Sequence, residues 1–143
     1  MTSEQAVNNR VSVSPSRMKL TGDGSEGVFL GTRCKECELH ILGDSMFCPR
    51  CTSAEHEPVE LSSSGKLYSY TVIHVPPPGW KGQVPFVLGA VKLPEGPHVT
   101  SEVINADPQT IEIDSPMTMV LQPGDTDEDG REIMVYKWEA AKA

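Results

Sequence analysis

No run of apolar residues in the 143-residue chain approaches the roughly 18 that a membrane-spanning helix requires. The opening stretch, Met1 to Arg10, is polar and has no secretory-type apolar core, so a cytoplasmic location with no membrane contact is expected. Aromatic residues are scarce at 6%, and no sustained helical period occurs. Positive charge is scarce as well, with 12 Lys and Arg against 20 Asp and Glu, a formal net charge of −8. The deficit is uneven. Three basic residues balance three acidic ones from Met1 to Thr32, and three balance three again from Arg33 to Cys51. Thr52 to Val59 carries −2, and from Glu60 onward six basic residues face twelve acidic ones. A groove that tracks phosphates needs the opposite sign, because such affinity rests on cations that displace counterions. Nucleic acid is therefore not the expected partner. No G-x-S-x-G elbow is present to seat a serine nucleophile.

Turn formers are plentiful. Twelve prolines and twelve glycines favour short strands over long helices. Val28-Phe29-Leu30 is a short apolar strand, and Ser53 to Ser64 reads as a polar connector. From Gly65 the period becomes that of strands. Lys66 to Val75 has Tyr68, Tyr70 and Val72 on one face and Leu67, Ile73 and Val75 on the other. Val84 to Leu93 follows, with Gly89 suited to a bulge or bend. The remaining strands are His98 to Asn105, Met117 to Leu121 and Glu132 to Trp138. Asp107-Pro108 can open a single helical turn between the third and fourth of these. The expected fold is mostly β, with a five-stranded barrel of the OB type, although strand number alone does not separate it from an SH3-like barrel. The expected divisions are a flexible arm over 1–27, a zinc ribbon over 28–59 and the barrel over 60–143.

The four cysteines carry the chemistry. Cys34-Lys-Glu-Cys37 is followed, ten residues later, by Cys48-Pro-Arg-Cys51. Two residues between thiols let one tight turn aim both sulfurs at a single ion. Two such turns build a closed tetrahedral cage, with Zn–S bonds of about 2.3 Å. One structural zinc per chain is the expected cofactor, and in a reducing compartment this pairing favours metal over disulfides. All four thiols are then engaged, so none remains as a nucleophile.

Other patterns imitate chemistry. Gly22-x-Gly24-x-x-Gly27 matches a dinucleotide fingerprint but lacks the strand before it and the helix after it. Asp125-x-Asp127-x-Asp129-Gly130 copies half of a calcium loop, but its twelfth position is Tyr136 rather than Glu. His40, His56, His74 and His98 are scattered; His74 stands out because it adjoins the Pro-rich loop. In that loop Pro76, Pro77 and Pro78 stiffen the chain ahead of Trp80. Trp80 either anchors an interface or folds back over the barrel mouth.

The order of these features resembles a known family. Phe29-Leu30-Gly31-x-Arg33-Cys34-x-x-Cys37 and Cys48-Pro49-x-Cys51 lead to Ser64-Gly65-Lys66-Leu67-Tyr68-Ser69-Tyr70-Thr71-Val72-Ile73-His74. Pro77-Pro78-Gly79 and Val84-Pro85-Phe86-Val87 then follow. The pattern, over about Val28 to Trp138, is similar to the proteins that join a rubredoxin-like zinc ribbon to an OB fold and accompany thiolase-type enzymes. The resemblance implies a non-catalytic companion subunit in a hetero-oligomer with a thiolase-fold protein that carries the catalytic residues. It also implies a role in shaping an acyl-CoA site, with Pro77, Trp80 and His74 as contacts of the partner or of that site. Within the family, the short acidic form is most similar to small subunits of benzoylsuccinyl-CoA thiolase, an enzyme of anaerobic toluene breakdown. Many members carry helices before the ribbon, whereas Met1 to Gly27 has little helical pattern. Two other readings remain beside this one, a nucleic-acid-binding ribbon and OB module, and an iron-loaded electron carrier of rubredoxin type.

Overall fold

A computed structural model describes residues 9–80 and 82–141 and holds ten strands and no helix among them. They are β1 Arg10–Ser12, β2 Met18–Thr21, β3 Glu26–Cys34, β4 His40–Leu42 and β5 His56–Leu61, then β6 Ser64–Ile73, β7 Phe86–Lys92, β8 His98–Ile104, β9 Pro116–Thr126 and β10 Glu132–Ala140.

The last five close into a barrel in the order β6-β7-β8-β10-β9-β6. Strand β6 is shared, pairing with β9 over Ser64–Lys66 and with β7 over Lys66–Ile73. Strands β8 and β10 run parallel, with Trp138 opposite Val103. The other barrel pairs are antiparallel. That single parallel junction gives the OB arrangement and excludes an all-antiparallel SH3-like closure. Alternation along each strand sends Val87, Val91, Val99, Val103, Met117, Met119 and Met134 inward. Trp138 is fully buried, and its ring N–H donates to the Val99 carbonyl at 3.0 Å, so the indole enters the core without an unsatisfied donor.

Strand β3 is the hinge between this barrel and the cysteines. It pairs with β2, β4 and β5 in a second sheet. From that sheet Phe29, with no exposed surface, packs edge-on to Tyr136 at 5.2 Å and beside Trp138 at 5.7 Å. Met18, Leu20 and Leu61 join the same buried cluster as Leu67 and Trp138. The two sheets therefore share one core.

Three expectations need correction. The arm expected over 1–27 is not an arm from residue 10 onward, and residues 1–8 lie outside the described ones. Arg10–Ser12 adds to the barrel edge in parallel with Glu132–Met134, and Met18 is completely buried. These strands have three and four residues. A period of two is hard to see at that length, and the partner of β1 lies at the far end of the chain. The polar connector is likewise half strand: β5 pairs with β3 from Cys34 opposite His56 to Phe29 opposite Leu61. The boundary expected after Val59 consequently falls inside β5.

The bulge lies not at Gly89 but on the partner strand, opposite Val91 and Ala90, whereas Gly89 pairs regularly with Tyr70. The register slips between Leu67 and Ser69, leaving Tyr68 as the extra residue. Gly89 answers a different need. A Cβ there would stand 2.7 Å from Val103 Cγ2 and 2.9 Å from Leu67 Cδ1, both from buried side chains. Gly89→Ala is expected to lower stability by about 1–3 kcal/mol through overpacking. A shift of the urea midpoint at unchanged slope would show it, and an unmoved midpoint would mean that the core yields there.

Candidate functional site

Cys34 is the last residue of β3, and Cys37 lies in the turn that follows. Cys48 and Cys51 occupy a second turn ahead of β5. The two turns repeat one geometry. In the first, the Glu38 N–H donates to the Cys34 carbonyl and the Cys34 N–H to the Leu39 carbonyl, both at 2.9 Å. In the second, the Thr52 N–H donates to the Cys48 carbonyl at 2.9 Å and the Cys48 N–H to the Ser53 carbonyl at 2.8 Å. Each turn is closed by a residue in left-handed backbone, Glu38 at φ 67° and Thr52 at φ 65°. A non-glycine residue held in that region twice, at equivalent places, shows that the knuckle shape is imposed by its surroundings.

The turns face each other so that Cys34 Sγ lies 3.5 Å from Cys51 Sγ and Cys37 Sγ lies 3.5 Å from Cys48 Sγ. All four sulfurs fall within 4.8 Å of one another, and none is in a disulfide. A tetrahedron with bonds of about 2.3 Å has edges of about 3.8 Å, so the donor set suits one thiophilic ion. Cys34 and Cys48 are buried while Cys51 is exposed, so the cage is open to solvent on one side.

The electrostatics agree with the geometry. The Leu39 N–H, and behind it the Arg50 guanidinium, lower the Cys37 thiol to about 6. The Cys37 and Glu36 N–H groups lower Cys34. Arg50 also donates to the Cys37 carbonyl at 2.8 Å, which fixes it beside the sulfurs. At Cys51 the Ser53 N–H acts in the same lowering direction, but desolvation and the three neighbouring sulfurs outweigh it and push the thiol up to about 12. The protein's own donors thus favour some thiolates but not all four together. A cation among them would supply the missing charge.

The other sequence-level residues fall elsewhere. His40 is half-buried outside the sulfur cluster, its Nδ1 3.1 Å from the Glu38 carbonyl. Trp80 folds back: its ring stacks on Phe86 at 4.1 Å and 18°, and its N–H donates to the Gln83 carbonyl at 3.2 Å. Pro77 and Trp80 line a groove of about 710 Å³ together with Ile73, Phe86, Leu88 and Val135. His74 is exposed at the end of β6 and does not line the groove. Sequence reasoning missed that Lys137 and Glu102, ion-paired at 2.7 Å, also line this groove. Nothing local in the chain foretells that pair, which joins β8 to β10. The glycine fingerprint forms the β2–β3 hairpin, so that, against expectation, a strand does precede it, and Asp23 accepts from the Ser25 N–H at 3.0 Å. The half calcium loop is the β9–β10 hairpin, with the Asp127 carboxylate taking the N–H groups of Asp129 and Arg131. Neither is flanked by a helix.

Comparison with known proteins places the chain. Residues 58–122 match the family model described as the C-terminal OB-fold domain of ChsH2. A DUF35 domain-containing scaffold protein of Methanocaldococcus jannaschii is 34% identical over 59% of this chain, a match that spans 60% of that protein's length. Benzoylsuccinyl-CoA thiolase subunit BbsA of Geobacter metallireducens is 30% identical over 87% of this chain and 82% of its own. Among solved structures, an Ltp2-ChsH2(DUF35) aldolase superposes with a TM-score of 0.59 at 29% identity, covering 80% of this chain and 86% of that one.

Proposed function

The chain belongs to the ChsH2/DUF35 family of OB-fold proteins, and from that premise we propose that it is a zinc-binding companion subunit of a thiolase-type acyl-CoA enzyme. The observation that carries the reading is the gathering of every thiol into one cluster. With zinc held by Cys34, Cys37, Cys48 and Cys51, the chain has no sulfur nucleophile, so bond-making falls to the partner. The zinc supplies folding free energy to the ribbon rather than a reaction step.

Exposed apolar side chains mark where the partner would sit. Met46 and Phe47, beside the second knuckle, are 77% and 55% exposed, and Val75, at the groove, is 82% exposed. Large apolar side chains left this exposed are consistent with surfaces that a partner covers. Pro77, Trp80 and His74 are proposed to contact the partner or its acyl-CoA site, with Trp80 already ordered by its stack on Phe86. The relatedness to BbsA over most of both chains supports benzoylsuccinyl-CoA as the substrate of the complex.

Co-expression with a thiolase-type enzyme, benzoylsuccinyl-CoA thiolase's catalytic subunit first, tests the proposal. The two chains are expected to co-elute in gel filtration, and the enzyme alone to lose at least tenfold in activity. A fully active isolated enzyme would overturn the reading.

A further inference from the structure

Strands β6 and β7 place two lysines where their charges repel, and β8 sets a histidine beside them. Lys66 stands directly opposite Lys92, and Lys92 directly opposite His98. All three side chains are exposed. Like charges in register across a sheet are destabilising. The arrangement is odd in a chain with acidic residues to spare, because most other described basic side chains are engaged. Lys19 pairs with Glu60, Arg33 with Glu57, Lys137 with Glu102, and Arg10 with Glu132. No such pair forms at Lys66 or Lys92 among the described residues. The adjoining groove, of about 640 Å³, has one carboxylate in its described lining, Asp114, and no ion pair within 4 Å joins it to either lysine. Glu95, on the β7–β8 turn, is committed to the N–H and hydroxyl of Ser62.

The bulge bears on the same face. As the extra residue of β6, Tyr68 is turned across β7, so that its ring lies 4.4 Å from the ring of His98. Tyr68 is 55% exposed. Exposed tyrosine is enriched at protein interfaces, and the two lysines beside it supply the charge that an acidic partner would complement. Phosphate sites more often use arginine forks or nests of backbone N–H groups, and the described lining of this groove contains no arginine.

We propose that the face formed by Lys66, Tyr68, Lys92 and His98 docks an acidic segment of a partner protein. The partner's identity rests on the companion-subunit reading, but the face itself is tested on this chain alone. Amide and side-chain NMR spectra of the full chain would be followed as hexaglutamate is added at low salt. Shifts are expected to concentrate at residues 66–68, 92 and 98 and to fade as salt screens the contact. Lys66→Glu with Lys92→Glu is expected to weaken binding at least tenfold. Lys66→Gln with Lys92→Gln serves as a milder variant should the reversal disturb folding, and Lys19→Glu is expected to leave binding within about twofold. The absence of localised shifts overturns the proposal, as does loss of none of the affinity in the double variants. Pyrophosphate or a ten-residue oligothymidylate that shifts the same residues at lower concentration also overturns it, in favour of a small-anion or nucleic-acid site. A chain that fails here yet still co-elutes with its enzyme removes the docking face and leaves the companion reading standing.

Discussion

Replacing Cys34 or Cys48 with serine is expected to cost the chain its metal and to unfold residues 34–56 while the barrel remains closed. Little besides the metal can hold that segment. It contains one three-residue strand, His40–Leu42, and its apolar side chains include Met46 and Phe47, which face solvent. So little burial cannot offset the backbone entropy of ordering some twenty residues, at about 1–2 kcal/mol each. Tetrathiolate zinc contributes on the order of 10–16 kcal/mol in such modules, and metal binding becomes folding free energy. Removing one buried donor also leaves the other sulfurs crowded together without their cation. Hydrogen exchange would show the result, with protection lost around both knuckles and kept at Val91, Val99, Val103 and Trp138, which are buried in the barrel. Strong chelator should reproduce the pattern in the unaltered protein. Metal analysis should fall from about one zinc per chain to well below it, without the red colour of an iron tetrathiolate at any stage. A metal-free chain that keeps its protection at the knuckles would sink this view of the site.

Much of this was legible in the residues because the signals are local. A Cys-x-x-Cys pair needs only one turn, and the second pair repeats it, so the cluster could be read from spacing before any fold was known. The barrel strands were legible for the same reason. Inward residues such as Val87, Val91, Val99, Val103, Met117 and Met119 alternate within single segments of ample length. What escaped notice depends on distant partners. Arg10–Ser12 is a strand because Glu132–Met134 is waiting for it. His56–Leu61 reads as polar because only alternate residues turn inward and its apolar end, Leu61, is a single residue. The Tyr68 bulge and the groove-lining pair of Lys137 and Glu102 are products of closure, so no window of sequence contains them. The side chains that gather the metal are local in character, whereas the surfaces that would meet a partner are not.

Phe29→Ala is expected to be the most damaging single substitution outside the cysteines, at about 3–5 kcal/mol. Its ring has no exposed surface and touches Tyr136 edge-on at 5.2 Å and Trp138 at 5.7 Å. Yet it belongs to the sheet that ends in Cys34, not to the barrel strands it packs against. A truncated side chain therefore leaves a cavity within the core that the two sheets share. If that core makes them a single cooperative unit, urea should unfold the natural chain in one transition, with the fluorescence of Trp80 and Trp138 and circular dichroism moving together. Phe29→Ala should lower the midpoint of both signals. Pairing it with Trp138→Phe should reveal a coupling of about 0.5–1.5 kcal/mol between the rings. Were the sheets independent, the barrel signal would keep its midpoint while only the ribbon end melted, and zinc would then organise a separate appendage. With a shared core the consequence reaches further. Strand β3 runs unbroken from Phe29 to Cys34, so an ordered ribbon and an ordered barrel hold each other in fixed relation, and surfaces on both can be presented to one partner without an added cost of orienting them.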